Sequence, residues 1–229
     1  MFHSAFQQLQ ILSQRFQQNE RHYLSPAYDE ATARKDFIDK FFMALGWDVN
    51  HESQTNPYQQ EVRIENKVSM KGSIGRRADY AFFLAPNFRE EDVVFFVEAK
   101  KPSRSLSNKD DYYQTIRYGW NRGTPISILT DFEEFHIIDC RSKPDLNTAL
   151  NRKIKSFHYT DFATEETFRE VYHLFSREAV ADGALQRYAA ALPKPKGKGT
   201  LGPLKGGFQP VDEAFLETLD GYRDTLARA

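Results

Sequence analysis

Between Val93 and Val97 five apolar residues follow one another without a break, and Glu98, Ala99, Lys100, Lys101 and Pro102 come directly after them. An unbroken apolar run of this length predicts a strand covered on both faces, because a strand with one wet face alternates polar and apolar side chains. Such a strand lies inside a sheet that carries helices on both sides, which places the chain among α/β proteins. The same strand ends in a carboxylate and an ammonium two positions apart. Side chains alternate along a strand, so Glu98 and Lys100 share one face while Val97 and Ala99 share the other.

The apolar stretch Ala78 to Leu84 supplies the antiparallel neighbour. With a loop over residues 85–92, Leu84 pairs with Val93, and this register sets Asp79 opposite Glu98 on the same face. Two carboxylates about 4 Å apart repel by about 4 kcal/mol at an effective dielectric near ~20, so the fold needs a counter-charge there. Two readings supply one. In the first, Asp79, Glu98 and the Ala99 carbonyl hold Mg²⁺ (or Mn²⁺), and Lys100 orients or deprotonates a water beside a phosphoryl group. In the second, Glu98 and Lys100 form a buried structural ion pair. The chain contains its own comparison in Glu65-Asn66-Lys67, where Val62 and Ile64 alternate with Arg63 and Glu65 and so place the charges on a solvated strand face.

The rest of the chain fits around this strand. Phe2, Phe6, Leu9, Leu12 and Phe16 recur at helical spacing, as do Phe37, Phe41 and Leu45 after an acidic start at Asp29-Glu30, with Gly46 as the stop. Strands are expected over 61–68, 78–84, 93–100, 126–129 and 134–140, and helices over 108–120 and 164–180. That order predicts one mixed sheet with helices packed on it. Residues 193–210, rich in Gly, Pro and Lys, read as a linker, and 211–229 as an amphipathic helix with Phe215, Leu219, Tyr222 and Leu226 on one side.

With 229 residues, 40% apolar and 28% charged, the chain can bury one sizeable core, and no run approaches the roughly 18 apolar residues of a membrane span. The N-terminus lacks the basic start and apolar block of a secretory signal, so a cytoplasmic location without membrane partners is expected. A single cysteine, Cys140, leaves no internal disulfide and no zinc site built on several thiolates. The six histidines form no His-x-His or His-Glu-x-x-His cluster. A net charge of −1 argues against a uniformly basic coat and leaves room for a local basic groove.

Asp79 followed by Glu98-Ala99-Lys100 at the end of an apolar strand resembles the Asp…(Asp/Glu)-x-Lys signature of the restriction-endonuclease-like PD-(D/E)xK nucleases. The stretches ATARKDFIDKFFMALGWDV, RRADYAFFL, FFVEAKKPS, YYQTIRYGWNRGTPISILTDFEEFHIIDCR and VDEAFLETLDGYRDTLARA are similar to the N-terminal nuclease region of type IIG restriction-modification enzymes, and more distantly to that of type I restriction subunits. The resemblance runs from about Tyr28 to Ala229. It implies a restriction-endonuclease-like fold, with an N-terminal helical segment (1–27), a nuclease domain (28–190), the linker (193–210) and a C-terminal helix (211–229). It implies a Mg²⁺-dependent endonuclease acting on double-stranded DNA, with Asp79 and Glu98 as metal-binding carboxylates and Lys100 as the catalytic lysine. Glu30 is placed like the helix glutamate that completes the metal site, although Asp29 is adjacent and either acid could serve or simply complement the helix dipole. Gln114 and Tyr118 resemble a Gln-x-x-x-Tyr element that supports the site or touches the DNA backbone; packing accounts equally for Tyr118. Lys71, Arg76, Arg77, Lys101, Arg104 and Lys109 are expected either to hold DNA phosphates or to form a solvated rim.

Type IIG enzymes continue into a methyltransferase, whereas no Gly-rich adenosylmethionine loop, Asn-Pro-Pro-Tyr motif or target-recognition region occurs in this sequence, nor an ATP site. Specificity is therefore expected from a methyltransferase or specificity domain or subunit elsewhere. The alternative is a catalytically silent module that uses the nuclease fold to dock DNA or a subunit.

Overall fold

A computed structural model describes residues 1–54, 56–70 and 73–194. Six strands form one sheet in the order β1-β2-β3-β4-β5-β6: β1 (Val62–Met70), β2 (Ser73–Phe82), β3 (Phe95–Ala99), β4 (Ile126–Thr130), β5 (Glu134–Asp139) and β6 (Lys153–His158). Only β3 and β4 are parallel, and the long connection between them carries the helix Lys109–Arg122. The expected α/β class with a mixed sheet is therefore correct, and the arrangement is consistent with a restriction-endonuclease-like fold.

Strand β3 is buried along its whole length. On one face Phe95, Val97 and Ala99 join the large core made with α1 (Phe2–Gln18), the short α2 (Glu20–Tyr23) and the helical segment formed by α3 (Glu30–Ala33), a π-helical turn (Arg34–Ile38) and α4 (Asp39–Ala44). Phe82 and Phe95 stack across the strand pair with centroids 4.2 Å apart, and Phe42 and Trp47 pack on them. The N-terminal helix contributes Ala5, Leu9, Leu12 and Phe16 to this same core. On the opposite face Phe96 meets Tyr118 of α5 (Lys109–Arg122), whose Ile116 and Tyr112 cover β4 and β5 through Leu129 and Ile138.

Strand register holds the offset expected from the sequence: Tyr80 pairs with Val97, Ala81 with Phe96 and Phe82 with Phe95. The pairing stops short of Leu84 and Val93, because Phe83 N–H donates to Glu61 O and the chain then turns through Leu84–Asn87 and a 3₁₀ turn at Glu90–Asp92. Two elements were not foreseen. Strand β6 carries Lys153, Lys155 and Ser156 among few apolar residues, a composition suited to an edge strand and weak as a sequence signal. The helix expected over 164–180 is broken at Ser176, whose hydroxyl caps a new turn by accepting from Ala179 N–H; α6 (Glu165–Phe175), α7 (Arg177–Ala181) and α8 (Ala184–Ala191) follow one another. The expected linker from residue 195 onward and the C-terminal helix lie outside the described residues.

Helix α5 lies close to the sheet because Gly119 has no side chain: a Cβ there would stand 2.5 Å from Cys140 Cβ and 3.0 Å from Ser127 Oγ. This approach lets Gln114, five residues earlier, reach Glu98 on β3 and the neighbouring Tyr118 reach the Arg77 carbonyl on β2. Adding a methyl to a packed backbone contact costs about 1–3 kcal/mol, more than the roughly 1 kcal/mol of helix propensity that alanine gains over glycine. Gly119→Ala is therefore expected to lower the denaturation midpoint, and an unchanged midpoint in urea titration would refute the close-approach account.

The β4–β5 turn is held by Thr130 Oγ1 donating to Glu134 O (2.7 Å) and by Glu134 N–H donating to Asp131 Oδ1 (2.7 Å), with Phe132 at φ 75°. Burial, with Asp131 2% exposed, pushes its carboxyl up from 3.8 to about 8. The folded state thus keeps a proton that the unfolded chain has lost, so this group's contribution to stability falls as pH rises from about 4 to 8. Asp131→Asn keeps the acceptor and has no proton to lose. It should melt above the wild type at pH 8, with the gap closing near pH 4; a gap independent of pH would contradict the assignment.

Candidate active site

The C-terminal end of β3 gathers side chains from three elements. Continued by one residue, the β2–β3 register places Asp79 across from Glu98, and Asp79 Oδ2 accepts from Ala99 N–H at 2.8 Å. Lys100 follows the last β3 residue, its N–H donating to Thr130 O (2.9 Å), so the parallel pairing with β4 holds its backbone. Its ammonium donates to Glu98 Oε1 (2.6 Å) and to Ala99 O (2.7 Å) and lies 3.9 Å from Asp79 Oδ2. From α5, Gln114 Nε2 donates to Glu98 Oε1 (2.9 Å), and Tyr118 Oη donates to Arg77 O (2.6 Å). Gln114 and Tyr118 are also joined to each other, at 2.8 Å.

This grouping is buried. Glu98 is 3% and Lys100 7% exposed, and Glu98 Oε2 has no hydrogen-bond partner among the described residues. Removing an ion pair from water costs several kcal/mol per ion unless hydrogen bonds offset it, and here one carboxylate oxygen receives two donors while the other receives none. Burial first, and the charge of Asp79 next, push the Glu98 carboxyl above its ordinary range, with Lys100 opposing. Burial works against the Lys100 ammonium as well, but Glu98, Asp79 and Glu30 outweigh it and raise its pKa.

The two acids at the start of α3 divide their tasks. Asp29 caps the helix: Thr32 N–H donates to its Oδ1 (2.8 Å) and Thr32 Oγ1 to its Oδ2 (3.0 Å). Both oxygens are thereby committed locally. Glu30 is half-buried; burial raises its carboxyl, the Lys100 charge lowers it and the Asp79 charge raises it, so it shares their electrostatic environment.

Among the described residues no group of three or more His, Cys, Asp or Glu side chains is arranged to hold a metal ion. The Lys100 ammonium is the cation at the centre of the cluster, bonded to Glu98 and to the same Ala99 carbonyl that the sequence suggested as a ligand. Of the basic residues, Arg77 pairs with exposed Glu65 (3.0 Å) and Arg104 with Asp111 (2.7 Å), while Lys101 is half-buried and Lys109 exposed. Lys71 and the Arg76 side chain lie outside the described residues. The Glu65–Arg77 pair sits in solvent, as expected, but the alternation does not hold: Ile64 is itself 44% exposed, Arg63 is half-buried over the Phe83 ring, and Glu65 stands at φ 51°.

One charged neighbour escaped the sequence reading. Arg34 Nη1 stands 3.5 Å from Asp79 Oδ1, with its side chain 15% exposed. Its position four residues after Glu30 on a helix was the available signal, since residues at that spacing share a face.

The chain is 34% identical over 223 residues, 96% of its length, to the type II restriction enzyme and methyltransferase RM.Eco57I of Escherichia coli. It spans about a fifth of that relative, 21% of its length. No family model and no solved structure matches the chain. The chain is thus related to a region of a restriction enzyme.

Proposed function

We propose that this chain is a divalent-metal-dependent DNA endonuclease module of a restriction system, hydrolysing phosphodiester bonds of double-stranded DNA. The observation that carries the reading is the convergence of Asp79, Glu98 and Lys100 at the end of a fully buried strand, with one Glu98 oxygen buried and unpartnered. A hard cation takes carboxylate oxygens of this kind, and Glu98 Oε2 is free of the two donors that hold Oε1. Asp79, Glu98, the Ala99 carbonyl and Glu30 would hold Mg²⁺ or Mn²⁺. Bound there, the ion would supply a Lewis acid for the phosphoryl oxygens and a more acidic water.

The chain's own residues have distinct tasks in this reading. Lys100 would orient the attacking water and stabilise charge building on the phosphoryl group. Gln114 is a positioning residue, because its amide fixes the Glu98 oxygen that it shares with Lys100. Lys101, Arg104 and Lys109 would meet DNA phosphates without reading sequence. A methyltransferase or specificity part would provide recognition, the relative combining a restriction enzyme with a methyltransferase, and the reaction would take place in the cytoplasm.

Plasmid cleavage tests the reading. With Mg²⁺ or Mn²⁺ the purified chain should nick or linearise supercoiled DNA, and Lys100→Ala or Asp79→Asn should reduce the rate at least about 100-fold, the usual loss of an electrostatic or acid–base group. Full activity in either variant would sink the assignment. Chelation with EDTA should abolish cleavage reversibly, and restored metal should recover it; cleavage that persists in EDTA would remove the metal from the reaction. No cleavage by a wild-type chain that still binds DNA would favour the silent docking module.

A further inference from the structure

Asp79 is engaged on both oxygens, but unequally. Its Oδ2 accepts a 2.8 Å hydrogen bond from Ala99 N–H, while among the described residues Oδ1 meets the looser 3.5 Å ion pair with Arg34. Arg34 itself is seated firmly. Its guanidinium lies over the Tyr80 ring at 5.3 Å, and Tyr80 Oη donates to Asp39 Oδ1 at 2.6 Å, so one aromatic ring, locked at its far end, supports the cation from below. Arg34 opens the π-helical turn Arg34–Ile38, and turns of this rare type recur at functional sites. The same helix carries Glu30 one turn earlier.

The charges assembled around the end of β3 are therefore Glu30, Asp79 and Glu98 against Lys100 and Arg34. Lys100 neutralises Glu98, and Arg34 stands nearest the remaining Asp79 oxygen. We propose that Arg34 is a further positioning residue of this site, acting through Asp79: it balances Asp79 Oδ1 while the site lacks a divalent cation, and competes with that cation for the oxygen. The inference rests on the metal-dependent reading above. It gives Arg34 a consequence that a merely structural arginine lacks, because removing a destabilised structural contact weakens metal binding, whereas removing a competitor strengthens it.

The test is Mn²⁺ binding to the full chain without DNA, followed by the electron paramagnetic resonance signal of free Mn²⁺, for wild type, Arg34→Met, Arg34→Lys and Asp79→Asn. A unit charge beside a divalent cation changes its affinity about tenfold even with strong solvent screening. Arg34→Met is accordingly expected to bind Mn²⁺ about tenfold more tightly than wild type, Arg34→Lys to restore nearly wild-type affinity, and Asp79→Asn to lose the site. Arg34→Gln serves as the neutral variant if the methionine chain fails to fold, with melting curves recorded for each. Binding that Asp79→Asn abolishes but neutral residues at 34 leave unchanged or weaken would overturn the role of Arg34 alone. Absence of Mn²⁺ binding by wild type and both neutral variants would overturn the metal reading and this inference with it.

Discussion

The contact on which the rest of the site depends is the hydrogen bond between the Lys100 ammonium and Glu98 at the end of a strand that has no wet face. Burial makes both charges costly, and neither can escape to solvent because α5 covers one side of β3 and the large aromatic core the other. The pair is held by structure that would exist without it: Ala99 N–H fixes Asp79, Thr130 O fixes the Lys100 backbone, and Gln114 fixes Glu98. Charges held this way are preorganised. Their positions are set by the sheet before any ligand arrives, which is the condition under which electrostatic stabilisation of a transition state costs no rearrangement.

Two local departures from regular structure aim side chains at this point. Gly119 allows α5 to approach Cys140 and Ser127, and that approach brings Gln114 to Glu98 and Tyr118 to the Arg77 carbonyl. The π turn joins two stretches of one helix with different duties: Glu30 before it and Arg34 at its first position lie at the polar cluster, while Phe37 and Ile38 at its end and Phe41 and Phe42 beyond it are in the core. A helix that must serve a polar site and an apolar core on nearby surfaces needs a change of phase, and an inserted residue provides one.

Much of this was legible in the residues. The apolar run 93–97 announced a covered strand, and the spacing of Ala78–Leu84 from it was enough to set the β2–β3 offset and bring Asp79 to Glu98. The helix expected over 108–120 is α5, capped by Asn108 and running two residues further, up to Gly123, and Gly46, at φ 92°, ends the second expected helix. Strand β6 was not legible because an edge strand buries little and its Lys and Ser side chains carry no period. The break at Ser176 was hidden because the apolar stripe runs through it, and the decisive contact, Trp47 Nε1 donating to Phe175 O, comes from 128 residues away. Arg34 was hidden for a related reason: its spacing from Glu30 was visible, but the π turn and the Tyr80 ring that seat it were not.

Alternation, apolar runs and turn residues are properties of neighbours in the chain, so the residue order alone determined the sheet class, the strand offset and the meeting of Asp79, Glu98 and Lys100. Which acid of Asp29 and Glu30 caps the helix, which oxygen of Glu98 stays unpaired, and which arginine stands beside Asp79 depended on packing between distant segments. Those choices are made by differences of an ångström or so in the approach of α5 and the first helices to the sheet, and hydrogen bonds and ion pairs are sensitive on that scale, whereas hydrophobic periodicity is not.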